Sequence, residues 1–295
     1  MLGVLLTAGC SGTHDVKSAP LPASQRLALA LGDGVGGRGD IFVVRADGTG
    51  LRNLTHTPGE EMHPTWSPDG RRIAFTRGTV GPEGLIQDLY VMDADGTHVR
   101  RLTDTPGNEE DEHDPAWSPD GRRIAFIANR PGTVEEAVWT IRPDGTRRTL
   151  VGWSGRFPES PTWSSDSQRI AFSSSAIDDD TRIWTMKADG RDIHAVSRGG
   201  IDVEPSWRPG SSEIAFVRGL ELLTVDANTR EERRVGSGHA QTPSWSPDGS
   251  WLATLELRKL KVGFMVYLTS LDGKTLPVAP VVDVLYGPAA WSPAR

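Results

Sequence analysis

The sequence predicts an all-β protein, a six-bladed β-propeller with four-stranded blades. Three observations predict this fold: a phrase that recurs along the chain, a strand pattern that repeats with it, and chain ends that complement each other. The chain has 295 residues, enough to bury the core of one large domain. No stretch has the period of a capped helix.

The recurring phrase contains a tryptophan followed by a turn, as in PTWSPDGRRIAF and PAWSPDGRRIAF. Five copies and a truncated sixth, AAWSPAR, occupy residues 64–75, 115–126, 161–172, 205–216, 243–254 and 289–295. Neighbouring copies place their tryptophans 38 to 51 residues apart. Self-similarity at this spacing is typical of propellers and solenoids, with one structural unit per repeat.

Each copy predicts four strands. The tryptophan lies in the first strand, and RIAF follows a Pro-Asp-Gly turn as the second. An alternating run such as RIWTMKADG at 182–190 then ends in Asp-Gly, the preferred pair for a tight hairpin. A short closing strand follows, such as LRNLT at 51–55. Four strands per repeat is the content of a propeller blade.

The two ends of the chain complete one blade between them. The last copy stops before its RIAF strand, hairpin and closing strand. The missing pieces stand near the N-terminus, at 26–31, 41–45 and 51–55. We therefore expect residues 26–295 to form one propeller, in which N- and C-terminal strands share a blade and close the ring.

The phrase resembles the TolB-like propeller repeat, P-x-W-S-P-D-G-x-x-I-A-F followed by an Asp-Gly hairpin. The same repeat occurs in the propeller domains of prolyl-oligopeptidase-type peptidases. The resemblance covers nearly all of residues 26–295 and implies the propeller fold. Because propellers host many activities, it leaves the function open.

Most of the phrase serves architecture. We expect rings such as Trp66 and Trp117 to pack between blades. The recurring aspartates Asp69, Asp120 and Asp248 belong to their turns, where an aspartate side chain accepts hydrogen bonds from the local backbone.

The N-terminus predicts export. LLTAGCSG at 5–12 resembles the lipobox of bacterial lipoproteins, in which the cysteine becomes acylated. Residues 1–9 are then a signal peptide remnant, Cys10 the lipid-attachment residue, and 10–25 a tether rich in Ser, Pro and Ala. This places the protein at the bacterial cell envelope, on its periplasmic or extracellular face. The alternative is an apolar N-terminus around an incidental cysteine.

Composition excludes several classes. The net charge of −7 argues against nucleic-acid binding. The single cysteine excludes a disulfide framework. No apolar run reaches the roughly 20 residues of a membrane-spanning helix, so the predicted lipid anchor is the only membrane contact expected.

The candidate site lies just before the tryptophans, where the innermost strands begin around the central channel. Residues three and five positions before a tryptophan supply the predicted ligand-binding set: Glu61, His63, Glu112, Asp114, Asp202 and Glu204. Ring symmetry brings them toward one axis, and a cleft lined by one sign of charge focuses its field. The alternative is that they are ordinary solvated loop charges.

Converging carboxylates suit a hard divalent cation such as calcium. Histidine ligands would extend the choice to zinc or manganese, and His113, Glu159 and His239 are the predicted metal ligands. A cationic peptide or loop of a partner protein fits the same charges.

We expect a monomeric, non-enzymatic binding or scaffold module for an envelope protein or peptide. The chain has no G-x-S-x-G, no H-E-x-x-H and no phosphate-binding glycine loop ahead of a helix. The alternative function is a metal-dependent lyase or hydrolase that uses the same histidines and carboxylates, similar to the oligogalacturonate lyases among TolB-like propellers.

Overall fold

The computed structural model describes residues 24–32, 39–81, 84–104, 111–130, 133, 135–152, 156–175, 180–239, 241–257, 264–282, 284–285 and 287–293. The predicted lipid-attachment residue Cys10 and the tether up to residue 23 lie outside the described residues.

The fold is the predicted all-β, six-bladed propeller. The second and third blades consist of antiparallel strands in chain order: β4 (Glu60–Trp66), β5 (Arg72–Gly81), β6 (Gly84–Asp93) and β7 (Arg100–Arg101), then β8 (His113–Trp117), β9 (Ile124–Asn129), β10 (Glu136–Ile141) and β11 (Thr149–Gly152). The fourth blade contains β12 (Arg156–Trp163), β13 (Arg169–Ser175), β14 (Thr181–Lys187) and β15 (His194–Ala195).

The fifth and sixth blades repeat the same strand order. They contain β16 (Asp202–Trp207), β17 (Glu213–Arg218), β18 (Glu221–Asp226) and β19 (Glu232–His239), then β20 (Gln241–Trp245), β21 (Trp251–Leu257), β22 (Phe264–Ser270) and β23 (Thr275–Val282).

The first blade joins the two ends of the chain, as predicted. It contains β1 (Arg26–Gly32), β2 (Gly39–Arg45) and β3 (Arg52–Asn53), with β24 (Val284–Leu285) and β25 (Ala290–Trp291) both paired to β1. Trp291 lies opposite Leu27, and the Ser292 hydroxyl accepts a hydrogen bond from the Arg26 N–H at 3.0 Å. The ring closure therefore covers the edge that β1 would otherwise leave open.

The core is divided among the blade interfaces. Each of the six buried apolar clusters contains residues of two neighbouring blades, including one shared by the sixth and first blades. The blade strands carry apolar residues on both faces, because each blade is covered by a neighbouring blade on either side. The blades are thus held to one another by hydrophobic burial around the whole ring.

The repeated tryptophans lie in these interfaces, which confirms the architectural prediction. Trp66, in the second blade, donates its indole N–H to the Ala290 carbonyl of the first blade at 3.1 Å. The Arg26 guanidinium, also from the first blade, lies 4.6 Å from the centroid of the same ring. Trp117, Trp163 and Trp245 have the same cation–π contact with an arginine of the preceding blade, which adds to the hydrophobic burial at these interfaces.

The repeated aspartates close their turns, as predicted. Asp69 accepts hydrogen bonds from the Ser67 hydroxyl at 2.6 Å and the Arg71 N–H at 3.1 Å. Asp120 and Asp248 accept equivalent bonds from their own turns. We call the ring face that carries these turns and the Asp-Gly hairpins the turn face, and the opposite face, where the inner strands begin, the mouth face.

Within the described part of the chain, no helix is long and apolar enough to cross a bilayer.

Candidate functional site

The backbone turns sharply at one position of five of the six inner strands. The residues three positions before the tryptophans, each followed by proline, have positive φ angles of 48° to 56°: His63, Asp114, Ser160, Glu204 and Thr242. The pairing register between the first two strands shifts at the same point in each of these blades. Left-handed backbone costs a residue with a side chain about 1–2 kcal/mol. Its recurrence marks a bulge built into the repeat.

Four of these residues meet around the ring axis. His63, Asp114, Ser160 and Glu204, which we call the channel set, line a cavity of about 150 Å³ together with the prolines that follow them. Pockets that enclose a small-molecule ligand usually measure about 300–1,000 Å³. The channel is therefore sized for the end of one side chain or a few water molecules.

The closing segment of the chain forms one wall of the channel. Gly287 has a φ of 87°, and a Cβ atom at this position would lie 2.2 Å from the His63 ring. Only glycine lets the chain pass so close to the imidazole. The ring closure thus also fixes the position of His63.

A polar network connects the channel set across four blades. Asp114 lies 3.0 Å from His63 Nδ1 and 3.5 Å from His113 Nδ1, and it accepts the Ser160 N–H at 2.9 Å. The Ser160 hydroxyl donates to Glu204 at 3.2 Å. On the other side, His113 Nε2 lies 3.2 Å from Glu136.

The network shifts the pKa values of its members in different directions. Burial by itself raises the pKa of Asp114, but the two histidines and the Ser160 N–H lower it well below its ordinary value. Burial lowers the pKa of His113, yet the carboxylates of Asp114 and Glu136 hold it well above its ordinary value. His63 differs, because burial lowers its pKa more than Asp114 raises it. At neutral pH the network therefore contains an ionised Asp114 and a protonated His113.

Glu204 is the member without a positive neighbour. Burial raises its pKa to about 7, the charges of Asp114 and Glu159 act in the same direction, and the Ser160 hydroxyl opposes them. Among the described residues no lysine, arginine or histidine forms an ion pair with this carboxylate. A cation brought to the channel would relieve it.

The predicted residues five positions before the tryptophans have a different environment. Glu61, Glu112 and Asp202 are completely buried and paired with arginines, and we call them the arginine-paired set. Their partners are Arg77 at 2.7 Å, Arg148 at 3.1 Å and Arg218 at 2.6 Å.

These three arginines also stack on aromatic rings of their own blades. They lie 5.4 to 5.6 Å from the ring centroids of Phe75, Phe126 and Phe216. The arginine-paired set therefore fastens the interior of each blade. Its predicted part in ligand binding stays a prediction, and our proposal below does not use it.

Of the three predicted metal ligands, the structure describes the side chains of His113 and Glu159. His113 belongs to the polar network, and Glu159 lies exposed beside Ser160 on β12. The His239 side chain lies outside what the structure describes. Among the described residues, no three histidine, cysteine, aspartate or glutamate side chains form a group that could hold a metal ion.

Sequence reasoning left two residues of the mouth out of the predicted site. Ser160 links Asp114 to Glu204, and Glu136 is the second carboxylate beside His113. Ser160 could have been found, because it occupies the same repeat position as His63 and Asp114. Glu136 begins the third strand of its blade, and the repeated phrase gives no signal for it.

Comparison with known proteins identifies the repeat. The TolB beta propeller domain family matches residues 82–249, more than half of the chain. A protein of Agrobacterium fabrum named Uncharacterized protein Atu1656 is 28% identical over 194 residues, which are 62% of this chain and 62% of that protein. The matched region thus spans less than two thirds of that relative.

Two solved structures share the fold. TolB from Acinetobacter baumannii has a TM-score of 0.74 and 18% identity, over 92% of this chain and 67% of that one. An oligogalacturonate lyase in complex with manganese has a TM-score of 0.54 and 13% identity, over 85% of this chain and 72% of that one. With the six four-stranded blades and the family match over more than half its length, the chain belongs to the TolB beta propeller domain family.

Proposed function

We propose that the protein is a non-enzymatic binding module of the cell envelope, and that its channel accepts a cationic side chain from a protein or peptide partner. The observation that carries the proposal is the pair of channel carboxylates, Asp114 and Glu204, joined through Ser160 and open to the mouth. Asp114 already has histidine neighbours, whereas Glu204 has none among the described residues.

The dimensions of the channel support a side chain as the ligand. At about 150 Å³ it is smaller than the pockets that enclose whole substrates. A lysine or arginine end fits such a space and brings the positive charge that Glu204 lacks. Because Asp114 and Glu204 are largely buried, the attraction is stronger there than at an exposed surface.

The similarity to TolB from Acinetobacter baumannii supports an envelope-binding propeller, and the lipobox-like segment around Cys10 supports export and tethering. With a full signal sequence in place, Cys10→Ser should move the protein from the membrane fraction to the soluble exported pool. Unchanged fractionation of this variant would argue against the anchor.

The channel is tested by thermal unfolding with a tripeptide, acetyl-Gly-Lys-Gly-amide, and its glutamine analogue. The lysine peptide should raise the melting temperature and the glutamine peptide should not. Binding stabilises the folded state by about 2.7 kcal/mol at a hundredfold excess over Kd. Asp114→Asn/Glu204→Gln should abolish the shift, whereas Asp47→Asn/Asp144→Asn, an equal charge change on the turn face, should keep it.

Calorimetry provides a second readout. Near neutral pH Glu204 is partly protonated, so a bound cation should displace a proton. The measured enthalpy should then depend on the ionisation enthalpy of the buffer in the parent protein and not in Glu204→Gln. An absent shift with the lysine peptide, or a shift that the double variant retains, would overturn the proposal.

The alternative is a metal-dependent lyase. It is favoured by the shared fold with the manganese-bound oligogalacturonate lyase and by His63 and His113 on either side of Asp114. A melting shift with manganese or zinc that His63→Asn abolishes, accompanied by metal-dependent cleavage of an acidic polysaccharide, would favour it over a binding module.

A further inference from the structure

The rim of the mouth is polar on one side and apolar on the other. Six positions before the tryptophan, the second and third blades carry Glu60 and Asp111, whereas the fourth and fifth carry Phe157 and Ile201. The exposed fraction is 61% for Phe157 and 66% for Ile201. Leu220, 41% exposed, lies at the tip of the β17–β18 hairpin on the same face.

These three residues form one patch, which we call the apolar rim. The Gly219 N–H, next to Leu220, bonds to the Ile201 carbonyl at 3.4 Å. Phe157 and Ile201 occupy equivalent positions of neighbouring blades, and each lies three residues before a member of the channel set. The other exposed large apolar residues described, Leu51, Val99 and Leu150, lie beside the Asp-Gly hairpins and outer strands instead.

The backbone beneath the apolar rim is held in place. Ile201 bridges to Thr181 of the fourth blade, and the two glycines before it donate to Asp180 and Asp202. Phe157 has a φ of 50°, a conformation uncommon for an aromatic residue. Single exposed apolar side chains are normal on protein surfaces, but three on neighbouring blades at the edge of a charged channel favour a docking surface.

We infer that the partner segment carries a large apolar side chain next to the lysine or arginine, and that this side chain docks on Phe157, Ile201 and Leu220. The inference rests on the proposed function and names the partner more closely. An apolar side chain on the rim would cover the channel and exclude water, which strengthens the charge contact beneath it. The negative charge of the channel favours a basic residue in the partner, and the exposed apolar area of the rim favours an apolar residue next to it.

The test begins with a random peptide library displayed on phage and selected on the parent protein, on Ile201→Ser/Leu220→Ser and on Asp114→Asn/Glu204→Gln. The parent should enrich peptides with lysine or arginine within two positions of Phe, Leu, Ile or Trp. The rim variant should keep the basic preference and lose the apolar one. The channel variant should lose the basic preference.

The best parent-selected peptide is then synthesised and its Kd is measured by fluorescence anisotropy. Ile201→Ser and Phe157→Ser should each weaken binding roughly tenfold, because each removes a buried contact of a large apolar side chain. Leu51→Ser is the matched control, an exposed leucine near the turn face, and should leave Kd unchanged. All three sites are exposed, so the variants should fold normally.

Two kinds of failure are distinguishable. Peptides that are basic, depend on Asp114 and Glu204, and bind the rim variants as well as the parent would overturn this inference and leave the proposed function standing. No enriched peptide, or enrichment that the channel variant shares, would overturn both.

Discussion

The arginine-paired set and the channel set lie two residues apart on the same inner strands and behave in opposite ways. Asp202 is completely buried and bonded to Arg218, which also binds Glu232. Glu204 faces the channel with a serine hydroxyl as its hydrogen-bond donor. One carboxylate is paired with an arginine of its own blade, and the other has no positively charged partner among the described residues. Acidic residues with the same appearance in sequence thus divide into charge-paired and unpaired ones.

The largest effect should come from opening the ring that holds both sets. Removing residues 289–295 deletes β25 and its pairing with β1, together with part of the channel wall. We expect cooperative unfolding to be lost, as measured by circular dichroism against denaturant. Truncation after Pro293 keeps the pairing and should melt like the parent; equal melting of the longer deletion would contradict the closure.

Removing an arginine partner from the arginine-paired set should lower the free energy of unfolding strongly. Arg218→Ala leaves Asp202 and Glu232 without their shared cation, and breaking a buried ion pair costs about 3–5 kcal/mol. Arg191→Ala removes an exposed partner of Asp189 and should cost less than about 1 kcal/mol. Denaturant titrations of the two variants measure the contrast. Equal, small losses would place Asp202 in the same class as Glu204.

Replacing Glu204 of the channel set should raise the stability of the protein instead of lowering it. Below its ordinary pKa of 4.5, Glu204 is protonated whether the chain is folded or not. Between pH 4.5 and about 7, Glu204 ionises in the unfolded chain while it stays largely protonated in the folded one. Its contribution therefore lowers the free energy of unfolding across this interval, and the contribution is constant above it. Glu204→Gln should therefore be more stable than the parent at pH 8, by at most about 3 kcal/mol, and equal to it at pH 4. A variant less stable at both pH values would contradict this.

The last change, Asp114→Asn, should lower stability at neutral pH, because the amide keeps the Ser160 hydrogen bond but loses the attraction of the two histidines that holds the pKa of Asp114 well below its ordinary value. It should also change the charges of its neighbours. The pKa of His113 should fall once burial is no longer opposed by this carboxylate, and the pKa of Glu204 should fall because a negative neighbour is gone. NMR titration of both side chains measures this. An unchanged His113 would mean that Glu136 alone sets its charge.

The repeated phrase was sufficient to predict the blades, because the positions of tryptophan, turn and hairpin are local properties of each copy. It also predicted that the positions three residues before the tryptophans face the axis, whereas Glu61, Glu112 and Asp202, which it placed there as well, are buried inside their blades. Part of the division between the two carboxylate sets could have been predicted as well. Arg77 and Arg218 each lie 16 residues after their acidic partner, in the neighbouring strand. Arg148 lies 36 residues after Glu112, and no spacing rule connects the two.

The left-handed turn before proline could not be predicted in the same way. A residue that precedes proline is ordinarily extended, and only the packed ring shows that His63, Asp114 and Glu204 adopt positive φ. This bend re-aims the side chains from the blade interior toward the axis. Pairing partners and backbone direction depend on tertiary contacts. For this reason the sequence predicted the same ligand-binding role for all six polar residues.

The chain enters and leaves the propeller on the turn face, where the Arg26 N–H meets Ser292. Any segment joined ahead of Arg26 therefore attaches to the propeller on its turn face. If that segment is fixed to a surface, the turn face is nearer to the surface and the mouth face lies on the opposite side. Residues 11–25 can reach at most roughly 50 Å at full extension, because each residue adds about 3.3–3.6 Å. If the proposed tether is fixed to a membrane, the mouth lies beyond this reach by the height of the propeller, which favours partner loops or tails that extend away from that membrane over segments lying in it.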